Sequence, residues 1–141
     1  MPAAPREIVV DSGPIIALFD AGDRYHADAI EFVRGTRARL ATTLAVVTEA
    51  MYVLDESLTA QRSLLAWIHA GGLTLHEPDA ASFARIGELL EKYGDLPMDF
   101  ADAVTVELCE RLGIIHIASV DRHFDIYRIR GRTRLVNVFF Q

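Results

Sequence analysis

Cysteine and long apolar runs are nearly absent from this chain, and each absence excludes a class of protein. Cys109 is the only cysteine, so a disulfide framework is excluded and a reducing compartment is expected. No apolar run approaches the roughly 18 residues that a membrane-spanning helix needs. Residues 1–7 contain no apolar core of the kind found in signal peptides. We therefore expect a cytoplasmic protein that makes no use of a membrane.

Lysine is equally rare, and its position argues against a signalling domain. The chain has several aspartates and glutamates in apolar surroundings, and receiver domains of signalling proteins gather carboxylates at the edge of a parallel sheet. Receiver domains, however, need a lysine near the last strands to hold a phosphoryl group. Lys92 is the only lysine, and it falls late in a predicted middle helix. A phosphatase with an aspartyl nucleophile is also disfavoured. Such an enzyme needs a second aspartate two residues after the nucleophile, but Gly13 lies two residues after Asp11.

The composition is that of one well-packed domain, expected over residues 1–141. Hydrophobic residues make up 51% of the chain, which argues against disorder. The net charge of −6 disfavours nucleic acid at first, but net charge averages over faces and includes the carboxylates of any acidic site. Basic residues gather towards the C-terminal end, as either a solvated edge or an anion-binding patch: Arg122, His123, Arg128, Arg130, Arg132 and Arg134.

Apolar periodicity and capping residues predict strands that alternate with helices. Strands are expected at residues 8–10, 39–41, 73–76, 114–120 and 135–139. Helices are expected at residues 14–19, from about 26 to 34, and at 43–54, 58–70, 79–93 and 99–112. This alternation implies an α/β fold with a parallel sheet and helices on both of its faces.

Five carboxylates lie in apolar surroundings, where an unpaired charge is costly. Asp11 and Asp121 end predicted strands, and ligands collect at the carboxyl ends of parallel strands. Asp99 and Asp102 share one face at the start of a helix, and Glu49 lies in an apolar helix. A cluster of such groups with no lysine nearby predicts a divalent metal site. Oxygen ligands favour Mg²⁺ or Mn²⁺ over Zn²⁺, and such ions promote phosphodiester hydrolysis.

Each of these carboxylates also has a purely structural interpretation. Asp99 could be a helix N-cap, and Asp102 could favour the dipole of the same helix. Asp121 could form an Asx turn, Asp11 could be a plain turn residue, and Glu49 could be a solvated helix residue.

Four stretches, residues 9–19, 48–50, 95–103 and 119–124, carry these residues in a distinctive order and spacing. In them the chain resembles the PIN-domain ribonucleases, and particularly the toxins of VapBC-type toxin–antitoxin pairs. The resemblance implies a three-layer α/β/α sandwich with a mostly parallel central sheet. It also implies a Mg²⁺- or Mn²⁺-dependent endoribonuclease with a metal site of Asp11, Glu49, Asp102 and Asp121. Asp99 would add to the pocket, and Ser12 would contact water or substrate.

The expected partners are RNA, a cognate antitoxin and a second copy of the chain. We expect some of Arg122, His123, Arg128, Arg130 and Arg132 to contact phosphates. The predicted helix pair over residues 43–70 carries more apolar groups than one core face readily absorbs, so we expect it to form an interface: Leu44, Val47, Met51, Tyr52, Leu64, Leu65, Trp67 and Ile68. An RNA-processing nuclease without an antitoxin and a non-catalytic acidic binding module stay open as alternatives.

Overall fold

A five-stranded parallel sheet forms the centre of the computed structural model, which describes residues 4–140. The spatial order of its strands is β3-β2-β1-β4-β7, and every neighbouring pair is parallel, so the predicted mostly parallel sheet is confirmed. A separate antiparallel hairpin consists of β5 and β6. The predictions of a single domain and of no signal peptide also involve residues 1–3 or 141, which lie outside the described residues. The strands are β1 (Glu7–Val10), β2 (Arg39–Thr42), β3 (Thr74–Leu75), β4 (His116–Ala118), β5 (Arg128–Ile129), β6 (Thr133–Arg134) and β7 (Val136–Asn137).

Helices cover both faces of the sheet and give the predicted three layers. Successive side chains of a strand point to opposite faces, so Ile8 and Val10 pack in the core formed mainly with α1 to α4, and Val9 packs with α5 and α6. Full burial of a leucine such as Leu64 or Leu89 contributes about 2 kcal/mol to either core. The helices are α1 (Ser12–Phe19), α2 (His26–Gly35), α3 (Leu44–Val53), α4 (Leu58–His69), α5 (Ser82–Lys92) and α6 (Phe100–Leu112).

The strand order places a crevice at the carboxyl ends of β1 and β4. The chain builds the sheet outward from β1 in both directions, so β1 and β4 flank the point at which the strand order reverses. Val10 lies opposite Ala118, and the Asp11 backbone N–H continues the pairing to the Ala118 carbonyl at 2.9 Å. The residues that follow these two strands therefore enter the same crevice.

Several predicted boundaries differ from the structure. The helix expected from residue 79 begins at Ser82, and Asp79 instead accepts hydrogen bonds from the Ser82 N–H (3.0 Å) and hydroxyl (3.1 Å) in the preceding turn. The strand expected at residues 114–120 is only His116–Ala118, because β1 and β7 offer no strand partner beyond that range.

The hairpin β5–β6 was not predicted, since its residues belong to a run that the sequence marks only as basic. Arg128 lies opposite Arg134, and the turn between the strands has positive φ angles at Arg130 (52°) and Gly131 (76°). Positive φ angles at both central residues define the tight turn that suits a twisted hairpin. The strained Arg130 backbone is anchored through its N–H, which donates to Glu110 Oε1 at 2.8 Å.

The apolar residues of α3 and α4 divide between core and surface. Val47 and Leu64 are buried in the core, so these two residues are not available to an interface. Met51, Trp67 and Ile68 pack partly against the same core. Five apolar residues of this helix pair are exposed and make up what we call the α3–α4 apolar surface: Leu44, Tyr52, Val53, Leu58 and Leu65.

Candidate active site

Asp11 follows β1 and is almost fully buried, at 6% exposure. It occupies the N-cap position of α1, but its side chain makes no capping hydrogen bond. The Ser119 hydroxyl donates to Asp11 Oδ2 at 3.0 Å across the crevice. Burial raises the pKa of Asp11 to about 6, and repulsion from Asp121 and Asp99 adds to this, against the hydrogen bonds from Ser12 and Ser119. Asp11 is therefore not a plain turn residue, because its carboxylate is buried and caps no helix.

Glu49 reaches the same crevice from α3. The Ser12 hydroxyl donates to Glu49 Oε2 at 3.2 Å, which joins the start of α1 to α3. Burial is the largest cause that raises the pKa of Glu49 to about 7, followed by the neighbouring Asp99 carboxylate, and Asp11 adds to both. Glu49 is thus half-buried and inward, as its apolar flanks indicate, rather than a solvated helix residue.

Asp99 and Asp102 form a capping box at the start of α6. Asp99 accepts the Asp102 N–H at 2.8 Å, and Asp102 Oδ2 accepts the Asp99 N–H at 3.4 Å. Asp102 is buried and also accepts the Tyr127 hydroxyl at 3.0 Å. Burial raises the pKa of Asp102 to about 7, with further contributions from Asp99 and Asp11. The N-cap interpretation of Asp99 is therefore correct, and it coexists with a place in the acidic cluster.

Asp121 is partly exposed, with 45% of its side chain accessible, and Asp99 at the start of α6 is exposed as well. Its Oδ1 accepts the His123 N–H at 2.9 Å, which is the Asx turn considered for this residue. Its charge nevertheless acts on Asp11, whose pKa it helps to raise. Asp121 thus lies at the solvent rim of the cluster.

Positive charge does not compensate four of the five carboxylates. Among the described residues, ion pairs form at Asp121 with His123 and at four glutamates elsewhere, but none includes Asp11, Glu49, Asp99 or Asp102. Two like charges 4 Å apart repel by about 4 kcal/mol at an effective dielectric constant near 20. The cluster must therefore take up protons or attract a cation, and the raised pKa values reflect the first of these.

The chemistry of this cluster fits a hard divalent cation, although its geometry is not preassembled. All the side-chain donors are carboxylate oxygens, the type that Mg²⁺ and Mn²⁺ prefer. Within residues 4–140, however, no three His, Cys, Asp or Glu side chains converge tightly enough to form a ready-made metal site. Coordination of one ion by three of these carboxylates would therefore require their side chains to move closer together.

Three residues that support the site were not predicted from the sequence, because none of them is a carboxylate. Ser119 is fully buried, donates to Asp11 and accepts the Asp121 N–H at 3.2 Å, so it joins two of the acids. The Asn137 amide brackets the Ser119 backbone, accepting its N–H at 3.2 Å and donating to its carbonyl at 3.0 Å. Tyr127 is also fully buried and donates to Asp102. The only sequence signal is that Ser119 lies two residues before Asp121.

Gly13 explains how the loops after β1 and β4 approach each other so closely. A Cβ atom at this position would overlap the Val120 side chain. The absence of a side chain at Gly13 therefore lets the start of α1 pack against the residue between Ser119 and Asp121. This contact holds the loop after β1 against the loop after β4.

The structure divides the candidate phosphate-binding residues. Arg122 and His123 directly follow Asp121 at the rim of the site. The Arg128 guanidinium donates to three backbone carbonyls, of Asp125, Ile126 and Tyr127. Arg130 bonds Glu110, which lies eight residues beyond Asp102 on α6 and so about 12 Å along the helix axis. Arg128 and Arg130 are thus tied to the protein, and Arg130 is remote from the carboxylates.

The chain is similar to known proteins over most of its length. The family model for the PIN domain matches residues 8–129. Ribonuclease VapC26 of Mycobacterium tuberculosis is 28% identical over 130 residues, which cover 90% of this chain and 96% of that protein.

No helix within residues 4–140 is both long and apolar enough to cross a bilayer.

Two solved structures share the fold. Mycobacterium tuberculosis VapC20, a Sarcin-Ricin loop cleaving toxin, matches with a TM-score of 0.71 and 21% identity over 81% of this chain and 89% of that one. A toxin–antitoxin complex from Klebsiella pneumoniae matches with a TM-score of 0.61 and 18% identity over 81% and 86% of the two chains. Since the family match begins in β1, ends in β5 and encloses all five carboxylates, the chain belongs to the PIN domain family.

Proposed function

We propose that this protein is a metal-dependent endoribonuclease that hydrolyses RNA phosphodiester bonds and acts as the toxin of a toxin–antitoxin pair. The observation that carries the proposal is the uncompensated cluster of Asp11, Glu49, Asp99 and Asp102 at the carboxyl ends of the central strands. The similarity to a protein named Ribonuclease VapC26 supports RNA as the substrate.

PIN-domain nucleases generally use divalent metal ions, and here the donor chemistry supports Mg²⁺ or Mn²⁺. Asp11, Glu49, Asp102 and Asp121 would hold the ion, and Asp99 would add negative charge beside it. When bound, such an ion lowers the pKa of a bound water and stabilises charge on phosphate oxygens.

The residues of the chain prepare this site by orienting its carboxylates. Ser119 and Tyr127 each donate to the Oδ2 atom of one aspartate, so the Oδ1 atoms of Asp11 and Asp102 stay available for a ligand. The Ser12 hydroxyl, which donates to Glu49, would bind water or substrate beside Asp11. Burial of both aspartates limits competing water, which strengthens their interaction with a cation.

Capture of RNA by an acidic protein needs local positive charge next to the carboxylates. We assign the nearest phosphate contacts to Arg122 and His123, because they adjoin Asp121. Arg128 and Arg130 contribute through those N–H groups that their protein hydrogen bonds leave free.

The α3–α4 apolar surface is proposed to serve two partners. One is a second copy of the chain, which gives a homodimer. The other is an apolar helix of an antitoxin, which could bring a basic side chain to the uncompensated carboxylates and block metal or substrate. The fold shared with a protein of a toxin–antitoxin complex supports the second partner.

The nuclease is tested by incubating labelled RNA with the protein in EDTA, Mg²⁺ or Mn²⁺. We expect cleavage only with a divalent ion, and its loss in Asp11→Asn. Asp28→Asn is the matched control, because it removes the same charge from an exposed position on α2 and should leave cleavage intact. Cleavage that persists in EDTA or survives Asp11→Asn would contradict the proposal, and intact RNA in every condition would favour a binding module.

A further inference from the structure

The Tyr127 hydroxyl is buried in contact with the acidic cluster, although the proposed metal site itself uses only carboxylates. Tyr127 is fully buried, and its hydroxyl donates to Asp102 Oδ2 at 3.0 Å. The same oxygen accepts the Asp99 N–H at 3.4 Å. Two donors therefore converge on Oδ2, and Asp102 keeps Oδ1 for another ligand.

Tyr127 is itself held firmly. Its ring packs edge-on against Tyr93 and Phe124, with ring centroids 5.1 and 5.4 Å away. The Tyr93 hydroxyl accepts the backbone N–H of Arg128, the next residue, at 3.1 Å. The following hairpin is fixed to α6 through Glu110, which accepts the Arg130 N–H and pairs with Arg85 at 2.8 Å. The hydroxyl of Tyr127 therefore has little freedom to move away from Asp102.

We propose that Tyr127 is a positioning residue, which fixes the orientation of Asp102 and so sets the affinity of the acidic site for a divalent metal ion. This inference rests on the metal-dependent nuclease proposed above. Groups that orient a metal-binding carboxylate typically change metal affinity by 10- to 100-fold. If Asp102 turned away from Tyr127, a buried hydroxyl would lose its partner, so one orientation of the carboxylate is strongly favoured.

Tyr127→Phe tests this role, because it keeps the aromatic ring and removes only the hydroxyl. Tyr93→Phe is a matched control: it removes a hydroxyl from the same aromatic cluster, but one that bonds a backbone N–H rather than a carboxylate. The probe is Mn²⁺ alone, titrated calorimetrically into each protein, together with the rise in melting temperature at a fixed Mn²⁺ concentration.

We expect Tyr127→Phe to raise the Kd for Mn²⁺ about tenfold. Tyr93→Phe should leave this Kd within twofold of wild type, even if it lowers the melting temperature of the metal-free protein. In RNA cleavage assays, Tyr127→Phe should recover a near wild-type kcat at saturating Mn²⁺, with an unchanged KM for RNA.

Three outcomes would overturn the inference. An unchanged Kd in Tyr127→Phe, with wild type still binding Mn²⁺, overturns the positioning role and leaves the proposed nuclease intact. An equal loss of affinity in both variants assigns the effect to aromatic packing instead. Wild-type protein that does not bind Mn²⁺ overturns both this inference and the proposed metal dependence.

Discussion

Asp11 is buried, and burial disfavours the charged form of its carboxyl group. The stability of the metal-free protein therefore depends on pH. Burial raises its pKa from 3.8 to about 6, so between those values the folded state binds more protons than the unfolded state. The contribution of Asp11 to stability is therefore fully present below pH 3.8 and is lost as pH rises through about 6. Glu49 and Asp102, both raised to about 7, extend the same trend by about one pH unit.

We predict that the protein in EDTA is less stable at pH 8 than at pH 5, by at least about 1 kcal/mol through Asp11 alone. Asp11→Asn should remove this part of the slope and stabilise the metal-free protein at pH 8. Urea unfolding of both proteins at the two pH values measures the difference. A wild-type stability that increases from pH 5 to pH 8 would contradict the predicted direction.

Gly13 is a second single residue that shapes the site, because its missing side chain permits the contact with Val120. We predict that Gly13→Ala lowers stability by about 1–3 kcal/mol, the typical cost of overpacking, and also reduces cleavage by displacing Asp11 and Ser12. Gly35→Ala is a suitable control, because a Cβ at that position meets nothing within 4 Å. Thermal unfolding compares the two variants, and equal melting temperatures would show that the close approach has no energetic consequence.

At the scale of elements, the β5–β6 hairpin concentrates positive charge on an acidic protein. Arg128 and Arg134 lie directly opposite each other, an arrangement that destabilises a hairpin unless an anion is near. Arg132 and Arg134 are exposed and, like Arg122, form no ion pair among the described residues. These three arginines, unlike Arg128 and Arg130, have guanidinium groups that are not engaged by hydrogen bonds described within residues 4–140.

We predict that replacing Arg122, Arg132 and Arg134 together by glutamine weakens RNA binding and lowers the salt slope of log K by up to about 2, or about 0.7 per lost phosphate contact. The control replaces Arg34, Arg37 and Arg62, which are exposed elsewhere, and makes the same change in net charge. Binding is measured in EDTA across a salt series. If both triple variants behave alike, the basic run is only a solvated edge.

At the scale of the whole molecule, the α3–α4 apolar surface exposes large hydrophobic side chains to solvent. Tyr52 is 79% exposed and Leu58 is 68% exposed, although their helices otherwise pack on the core. Exposed apolar groups that are concentrated on neighbouring elements typically mark interfaces.

We predict a homodimer that dissociates in Leu58→Glu/Leu65→Glu, without loss of monomer stability, because both side chains are exposed. Phe83→Glu, at a similarly exposed position on α5, should remain dimeric. Sedimentation at tens of micromolar distinguishes these species, and a strictly monomeric wild type would refute the dimer. Co-expression with an adjacent small reading frame should separately yield a stable, nuclease-silent complex, which the same double variant should weaken.

Much of the acidic site is determined locally by the sequence. Asp11 and Asp121 follow apolar strands, and Asp99 and Asp102 open a helix, so the parallel fold and the candidate carboxylates could be predicted from neighbouring residues alone. Alternating apolar patterns decide which side of a strand is buried, and that information is present within a few residues.

Tertiary structure alone decided which side chains complete the site and which basic residues lie far from it. Ser119 meets Asp11 across 108 positions of sequence, where β1 pairs with β4, and Tyr127 meets Asp102 across 25 positions, where the residue before β5 packs against α6. Arg130 resembles its basic neighbours in the sequence, but its bonds to Glu110 keep it at the far end of α6. Apolar patterning specifies burial, whereas hydrogen-bond partners are chosen only when distant segments meet.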